Sequence, residues 1–281
     1  MCFLSKEIKY HPGKWNGETV KATIENFINS LNETREIFHS VQFNPYAIGK
    51  KKHPSYLTRT FKPIDGQVIV GKDENVQKWP AAFTKLPWVG DVIQFLANHR
   101  LSPPRRLIEA VLKTQEKDDG RQDFAYRIWN AGTSGRLMSI GTGIEFAFPV
   151  TNVHRIINLL IAHLNQVGVK QLGYYVNGPI AVRFVRASKA FLAPNQAKLE
   201  HTQHDWWCYI EIVRVNSSDP EDDKKELEIY KHLQMMLMLK GGRPHWGLNF
   251  QFPFTLDYLR CIYPDIDKWL AAKAFFDPNK T

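Results

Sequence analysis

The pattern of hydrophobic and polar positions predicts three helices in the second half of the chain. The first follows Ser-Pro-Pro at 102–104, a cap with proline in the first turn. The second is capped by Thr151 and ends at Gly168. The third starts at Pro220, where acidic residues suit the positive end of the helix dipole, and stops at Gly241. Their apolar positions are Leu107, Ile108, Val111 and Leu112 in the first, Val153, Ile156, Ile157, Leu160, Ile161 and Leu164 in the second, and Leu227, Tyr230, Leu233 and Leu237 in the third.

Alternating β-branched and aromatic residues predict strands between these helices. The pattern is clearest in residues 144–150, 180–186 and 206–215, and weaker in 39–44 and 67–71. Because the alternation has two faces, antiparallel pairing is favoured. The predicted fold class is α+β, with a large, mainly antiparallel sheet covered by helices. A glycine-rich stretch at 132–145 precedes a strand, so it is interpreted as a flexible loop and not as a phosphate-binding turn.

Composition and cysteine usage indicate a folded protein of a reducing compartment. The chain has 281 residues, of which 43% are hydrophobic, enough to bury a full core. No apolar run approaches the ~20 residues that span a bilayer, and the N-terminus is not that of a secretory signal. The 3 cysteines are widely spaced and odd in number, so neither a disulfide framework nor a zinc site is expected. A cytoplasmic location follows.

The net charge of +9 allows three kinds of partner: nucleic acid, an anionic membrane surface or an anionic ligand. The densest basic run, Lys50 to His53, is short, and the other basic residues are scattered. A solvated basic face is therefore favoured over nucleic-acid binding. Association with a membrane surface stays an alternative.

Two positions are candidates for chemistry, each with a plainer structural interpretation. On the strand at 180–186, Arg183 points away from the apolar residues and could bind an anion or stabilise charge on an oxygen; a surface arginine is the alternative. His245 lies beside Trp246 in a glycine-rich loop, where it could be catalytic or simply packed. No metal is predicted, because His201 and His204 with Asp205 match no strong ligand spacing.

An ordered set of motifs resembles a known family. GPIAVRF (178–184), FLAP (191–194), GGRPHWG (241–247), YP (263–264) and DP (277–278) resemble the C-terminal part of the FAD-linked sugar-1,4-lactone oxidases, the L-gulono- and D-arabinono-lactone oxidases of the vanillyl-alcohol-oxidase-like superfamily. EFAFP (145–149) and HSVQFNP (39–45) are weaker matches. The first motif also resembles the FAD-linked cholesterol oxidases.

The resemblance implies a domain organisation and a cofactor. The family's N-terminal domain binds FAD, and no counterpart of it is recognised here. Residues 1–281 would then be a substrate-binding or cap domain, truncated relative to the flavoenzyme. A flavin-binding domain or chain and a small alcohol or lactone substrate are the implied partners.

The resemblance also implies site residues. Arg183 and His245 would be catalytic, and Trp246, Asn249 and Glu145 would contact the substrate. Two positions of this chain differ from the family pattern. Ala181 replaces the glutamate of the family's Glu-x-Arg strand, and Leu248 replaces the lysine after the His-Trp-Gly loop.

The expected function is oxidation of a CH–OH group, with hydride transfer to flavin and reoxidation by oxygen. Neither alanine nor leucine can hydrogen-bond a sugar hydroxyl. A more apolar alcohol, such as a sterol, and an inactive domain that keeps the fold for binding therefore remain the alternatives.

Overall fold

The computed structural model describes residues 3–33, 38–47, 53–64, 104–116, 119–120, 122–124, 141–197, 206–215, 220–248, 250 and 253–277. Eight strands in these residues form one sheet in which every pairing is antiparallel, and their spatial order is β4-β1-β3-β2-β6-β7-β5-β8. The strands are β1 Phe3–His11, β2 Phe38–Phe43, β3 Tyr56–Ile64, β4 Gln122–Phe124, β5 Gly141–Pro149, β6 Ile180–Arg186, β7 Trp206–Val215 and β8 Arg243–Pro244.

Six α-helices accompany the sheet in the same residues. They are α1 Gly17–Glu33, α2 Pro104–Gln115, α3 Val153–His163, α4 Pro220–Leu239, α5 Leu256–Ile262 and α6 Ile266–Phe276. A π-helical segment, Leu164–Gln171, continues α3. The α+β prediction with a mainly antiparallel sheet is therefore confirmed.

One face of the sheet forms the main core. Alternation along the strands puts apolar side chains on this face, and helices α1, α3 and α4 pack over it. Phe27 of α1 packs edge-on against Phe184, and Trp206 donates its indole N–H to Asn32. Full burial of one large apolar side chain in this core stabilises the fold by about 1.5–3 kcal/mol. The strand residues of this face include Val41, Phe43, Ile144, Phe146, Phe148, Ile180, Val182, Phe184, Ile210 and Ile212.

The second face is divided between apolar and polar parts. At the β1 and β3 end, helix α2 packs over it, and the buried Glu109 accepts hydrogen bonds from Tyr10 and Ser55. At β6 and β7, Arg183 is exposed and Glu211 is half-buried, so within the described ranges this part of the face is open.

The predicted helices are observed, with two corrections at their ends. Asn152, not Thr151, directly precedes α3, and it makes no side-chain capping bond. Gly168 does not end the helix but lies inside the π-helical segment, because the main-chain hydrogen bonds run on through Leu164–Gln171. The N–H of Tyr174 bonds to the Gly168 carbonyl at 2.9 Å.

The predicted strands are also observed wherever they fall within the described ranges. Residues 67–71 and 132–140 lie outside those ranges. Gly141–Pro149 forms β5, so the end of the glycine-rich stretch is strand and not loop. Its pairing with residues 207–215 of β7 overrides the low strand propensity of glycine.

Helix α4 ends as predicted, and the glycines that follow it have separate roles. Gly241 has φ +77°, the left-handed conformation that commonly ends a helix. At Gly242 a Cβ would lie 2.5 Å from Cζ of Phe148 and 2.8 Å from the carbonyl oxygen of Leu237. The chain can turn from α4 into β8 only because Gly242 has no side chain.

Candidate active site

Strand register arranges polar side chains in two parallel rows on the second face. Residues directly opposite in an antiparallel pair share a face. One row runs across β2, β6, β7 and β5. His245 lies next to the β5 end of this row, where its backbone N–H donates to the Glu145 carbonyl at 3.0 Å. The first row contains Gln42, Ala181, Glu211 and Glu145, and the second contains Ser40, Arg183, Tyr209, Ala147 and Arg243.

An ion pair between Glu145 and Arg183 lies at the centre of these rows. The Glu145 side chain is only 1% exposed, whereas 51% of the Arg183 side chain is exposed. The guanidinium passes over the Tyr209 ring, 5.8 Å from its centroid, and donates from Nη2 to Oε1 of Glu145. Burial alone would lower the pKa of Arg183, but the charge and hydrogen bond of Glu145 raise it overall. Arg183 is thus a fixed cation with donors left over for a ligand oxygen.

His245 is oriented by its own loop. Its Nδ1 accepts the N–H of Gly247 at 3.3 Å, so Nε2 carries the hydrogen in the neutral ring. Nε2 lies 3.9 Å from Oε2 of Glu145, which is too long for a hydrogen bond. This Oε2 atom is buried and has no hydrogen-bond partner among the described residues. The Nε2–H of the neutral ring therefore faces a carboxylate oxygen of Glu145 that has no hydrogen bond from any described residue.

Glu211 faces the methyl group of Ala181 on one side and Glu145 on the other. Burial raises the pKa of the Glu211 carboxyl, and the negative charge of Glu145 adds to that effect. The charges of Arg183 and His245 act in the opposite direction but do not cancel it. Glu211 therefore keeps its proton to a higher pH than an ordinary glutamate side chain does.

Tyr209 joins this cluster to the loop at 187–197. Its hydroxyl donates to Oδ1 of Asn195 at 3.0 Å. Burial, followed by the charge of Glu145, raises the pKa of Tyr209 to about 12. The phenol is therefore neutral at physiological pH, and the Arg183 guanidinium packs over its ring.

Arg243 is a second cation of the site, and it is buried at the β8 end of the row that contains Arg183. It is 9% exposed, donates to the carbonyl of Gln196, and lies 4.4 Å from the Trp207 ring centroid and 5.3 Å from that of Tyr263. Burial lowers the pKa of Arg243 to about 10, so the guanidinium stays charged at neutral pH. It ties β8 to the 187–197 loop and thereby holds the start of the His245 loop.

The remaining predicted residues are placed differently. Trp246 donates its indole N–H to the Leu192 carbonyl at 2.8 Å and stacks on Tyr263 at 5.8 Å. These contacts join the GGRPHWG motif to the FLAP motif. Trp246 therefore differs from Glu145 and His245, which contact side chains of the two polar rows. Trp246 is 42% exposed, so it remains able to border a ligand. Asn249 lies outside the described residues.

Sequence reasoning thus identified Glu145, Arg183 and His245, which the structure brings together, and missed three others. Glu211 and Tyr209 had a signal: the strand at 206–215 alternates, and their positions match the face of Arg183. Arg243 had none, because a two-residue strand next to a turn has no period.

No cluster in the described ranges has the ligands for a metal ion. No helix in those ranges is long and apolar enough to cross a membrane. The side chains that the described residues bring to the site are two carboxyls, a guanidinium with an exposed face, a neutral phenol and an imidazole.

Comparison with known proteins identifies the family. The model of the family described as D-arabinono-1,4-lactone oxidase matches residues 89–281, more than half of the chain and all of the cluster from Glu145 to His245. A search of curated proteins finds no match to this chain. The resemblance to the sugar-lactone oxidases is confirmed, and the chain belongs to the D-arabinono-1,4-lactone oxidase family.

Proposed function

We propose that this chain is the substrate-facing domain of an FAD-linked oxidase that oxidises a CH–OH group of a sugar lactone or a related alcohol. The observation that carries the proposal is the exposed face of Arg183, held in place by the buried Glu145. Family membership supports the oxidase chemistry. Oxygen is the proposed electron acceptor.

FAD itself would be bound mainly by a flavin-binding domain or chain. Within the described residues no turn from a strand into a helix has the G-x-G-x-x-G spacing that usually cradles a pyrophosphate, and the β1–α1 turn contributes Gly13 and Gly17 alone. The polar rows fit the ring end of a flavin and its substrate, but not the whole cofactor. A bound flavin would supply the hydride acceptor, and the residues of this chain would supply orientation and charge.

Arg183 would hold the reacting oxygen. Its guanidinium has five donors, of which one contacts Glu145. The others can bind a lactone or alkoxide oxygen and stabilise negative charge on it as the C–H bond breaks.

His245 would take up the hydroxyl proton. Nδ1 is the atom without a hydrogen in the neutral ring, and its bond to Gly247 is long at 3.3 Å. Protonation at Nδ1 gives an imidazolium whose Nε2–H faces Glu145. The carboxylate would then stabilise the charged ring, as a buried aspartate does in a catalytic triad.

A second candidate function is binding without catalysis, in the same fold. Ala181 and Leu248 favour it, because both replace groups that the resemblance leads one to expect. The same two residues would suit an oxidase of a more apolar alcohol.

Ligand binding to the purified chain tests the proposal. We expect D-arabinono-1,4-lactone to bind in saturation-transfer NMR, and Arg183→Met to weaken binding about 10–100-fold, because a charge-assisted hydrogen bond contributes about 1.5–3 kcal/mol. Arg155→Met on the exposed surface of α3 is the matched control. Equal binding by Arg183→Met and the control would remove Arg183 from the site.

A further inference from the structure

Two glutamates lie directly opposite each other on the open face. Glu211 of β7 pairs with Glu145 of β5, and the two side chains project from the same side of the sheet. The Cβ atoms of directly opposed residues are about 4.5–5.5 Å apart, and two ionised carboxylates at that separation repel each other. One of the pair must therefore be neutralised, by a cation or by a proton.

The available cation is committed to Glu145. Arg183 of β6 donates to Oε1 of Glu145, and His245 of the β8 loop faces Oε2. Among the described residues, the other strand neighbours of Glu211 on this face are the neutral phenol of Tyr209 and Val213 on its own strand, and Ala181 and Gln42 in its row. Arg183 attracts Glu211 as well, but its hydrogen bond goes to the other carboxyl. Glu211 is thus left to be neutralised by a proton.

The position of Glu211 gives that proton a use. Ala181 is its opposite neighbour on β6, and its methyl group covers less of the open face beside the Glu211 carboxyl than a longer side chain would. Arg183 is two residues along the same strand and borders this space. A ligand lodged over Ala181 would contact both a guanidinium and a carboxyl.

We propose that Glu145 and Glu211 form a carboxylate–carboxylic acid pair in which Glu211 holds the proton and donates a hydrogen bond to a neutral substrate oxygen lodged over Ala181. The substrate half of this inference rests on the proposed function; the proton half does not.

The pair would also set the class of ligand. With Glu211 neutral, the charges of Glu145 and Arg183 cancel, and the site suits an uncharged ligand rich in oxygen. With Glu211 ionised, the cluster carries one net negative charge. Ionised Glu211 no longer donates to the lactone and repels the carboxylate of the hydrolysed sugar acid. Lactone binding should therefore weaken as pH rises through the titration of Glu211, while the sugar acid is excluded more strongly.

Carboxyl NMR of the whole chain with ¹³C-labelled glutamate tests the proton. Glu211→Gln assigns the signal. We expect Glu211 to titrate at a higher pH than the exposed glutamates of the chain, because burial and the charge of Glu145 raise its pKa. Glu145→Gln should lower the Glu211 midpoint, because it removes the opposing charge and frees Arg183.

Substitutions at Ala181 give a second test that leaves the pair intact. Ala181→Lys should lower the Glu211 midpoint, whereas Ala181→Gln, of similar length but uncharged, should not. The pair is disproved if Glu211 titrates with the exposed glutamates or if neither Glu145→Gln nor Ala181→Lys moves its midpoint. If Glu145→Gln does not fold, Ala181→Lys decides.

Binding of D-arabinono-1,4-lactone tests the hydrogen bond. Glu211→Gln still carries a donor and should bind as well as the wild type at low pH, without its loss at high pH. Glu211→Ala should bind about tenfold more weakly. Undiminished binding by Glu211→Ala would overturn the substrate role. A wild-type chain that binds no lactone at any pH would contradict the proposed function, while the titration separately decides the carboxyl pair.

Discussion

A single buried carboxylate organises the polar side chains of the site. Glu145 binds Arg183 through one oxygen and faces His245 with the other, and it also opposes Glu211 across the strand pair. Breaking an ion pair of this kind from one side leaves a charge that water cannot reach. Glu145 therefore favours the charged form of Arg183 and the protonated form of Glu211.

His39 shows a different solution for a buried titratable group. It is 6% exposed, stacks on Phe27 at 4.2 Å, and its Nδ1 lies 3.0 Å from the Thr60 hydroxyl, while Nε2 has no partner among the described residues. Burial, followed by the charge of Lys62, lowers the pKa of His39 to about 4, and Glu7 opposes this shift only weakly. The ring is buried in its neutral form.

This burial predicts a loss of stability in mild acid. Between about pH 6.5 and 4 the unfolded chain binds a proton at His39 and the folded chain does not, so the free energy of unfolding falls as pH falls. We expect a contribution on the order of 2–3 kcal/mol at pH 4 that His39→Gln removes. Urea unfolding as a function of pH measures it.

The control for that experiment is His53→Gln, which changes an exposed histidine. Glu211 has a raised pKa and favours the folded state in the opposite direction, towards lower pH. For this reason the difference between wild type and variant is the quantity to compare. A pH profile that His39→Gln leaves unchanged would contradict the prediction.

At the scale of elements, the turn from α4 into β8 limits where His245 can lie. Gly241 adopts the left-handed conformation in open space, whereas Gly242 packs against the Phe148 ring and the Leu237 carbonyl. The two glycines are adjacent, but one is required for its backbone angle and the other for its small size.

Alanine substitutions separate these roles. Gly242→Ala should destabilise the chain by on the order of 2–3 kcal/mol, because the new methyl group meets a rigid ring and a backbone carbonyl, neither of which can move easily. Gly241→Ala meets nothing within 4 Å and should cost only about 1 kcal/mol for its positive φ. Urea midpoints of the two variants give the comparison. An equal cost at both positions would mean that the packing at Gly242 relaxes.

How far the sequence predicts these elements depends on how local their signal is. Helices α3 and α4 have strong apolar periods, and helix α1 could have been predicted too, since Val20, Ile24 and Leu31 have helical spacing and are buried. Strand β1 could not, because charged Lys6, Glu7 and Lys9 interrupt its pattern.

The contacts of the site also differ in how far the sequence predicts them. The outward direction of Arg183 follows from alternation within one strand. Its contact with Glu145 does not, because it depends on the spatial order β6-β7-β5, which joins segments far apart in the chain. The FLAP–GGRPHWG contact through Trp246 and Leu192 is equally non-local.

At the scale of the whole molecule, the two faces of the sheet have different partners. Helices cover one face with apolar side chains, whereas the described part of the other face leaves Arg183 exposed and Glu211 half-buried between β6 and β5. Such a face suits a small ligand held against a second surface. The proposed second surface is a flavin held by another domain or chain.

Because we propose that another domain or chain holds the flavin, we predict that this chain alone does not retain FAD. The pyrophosphate is the part of FAD that usually needs a glycine-rich cradle, and no strand-to-helix turn in the described residues has the G-x-G-x-x-G spacing. We expect the purified chain, mixed with FAD and passed through a gel-filtration column, to show no flavin absorbance in the protein peak. Yellow flavin that elutes with the protein would contradict the prediction and place the cofactor contacts within this chain. In that case Arg183→Met and Glu211→Ala should be compared for the position of the flavin absorbance band, since only groups next to the ring would shift it.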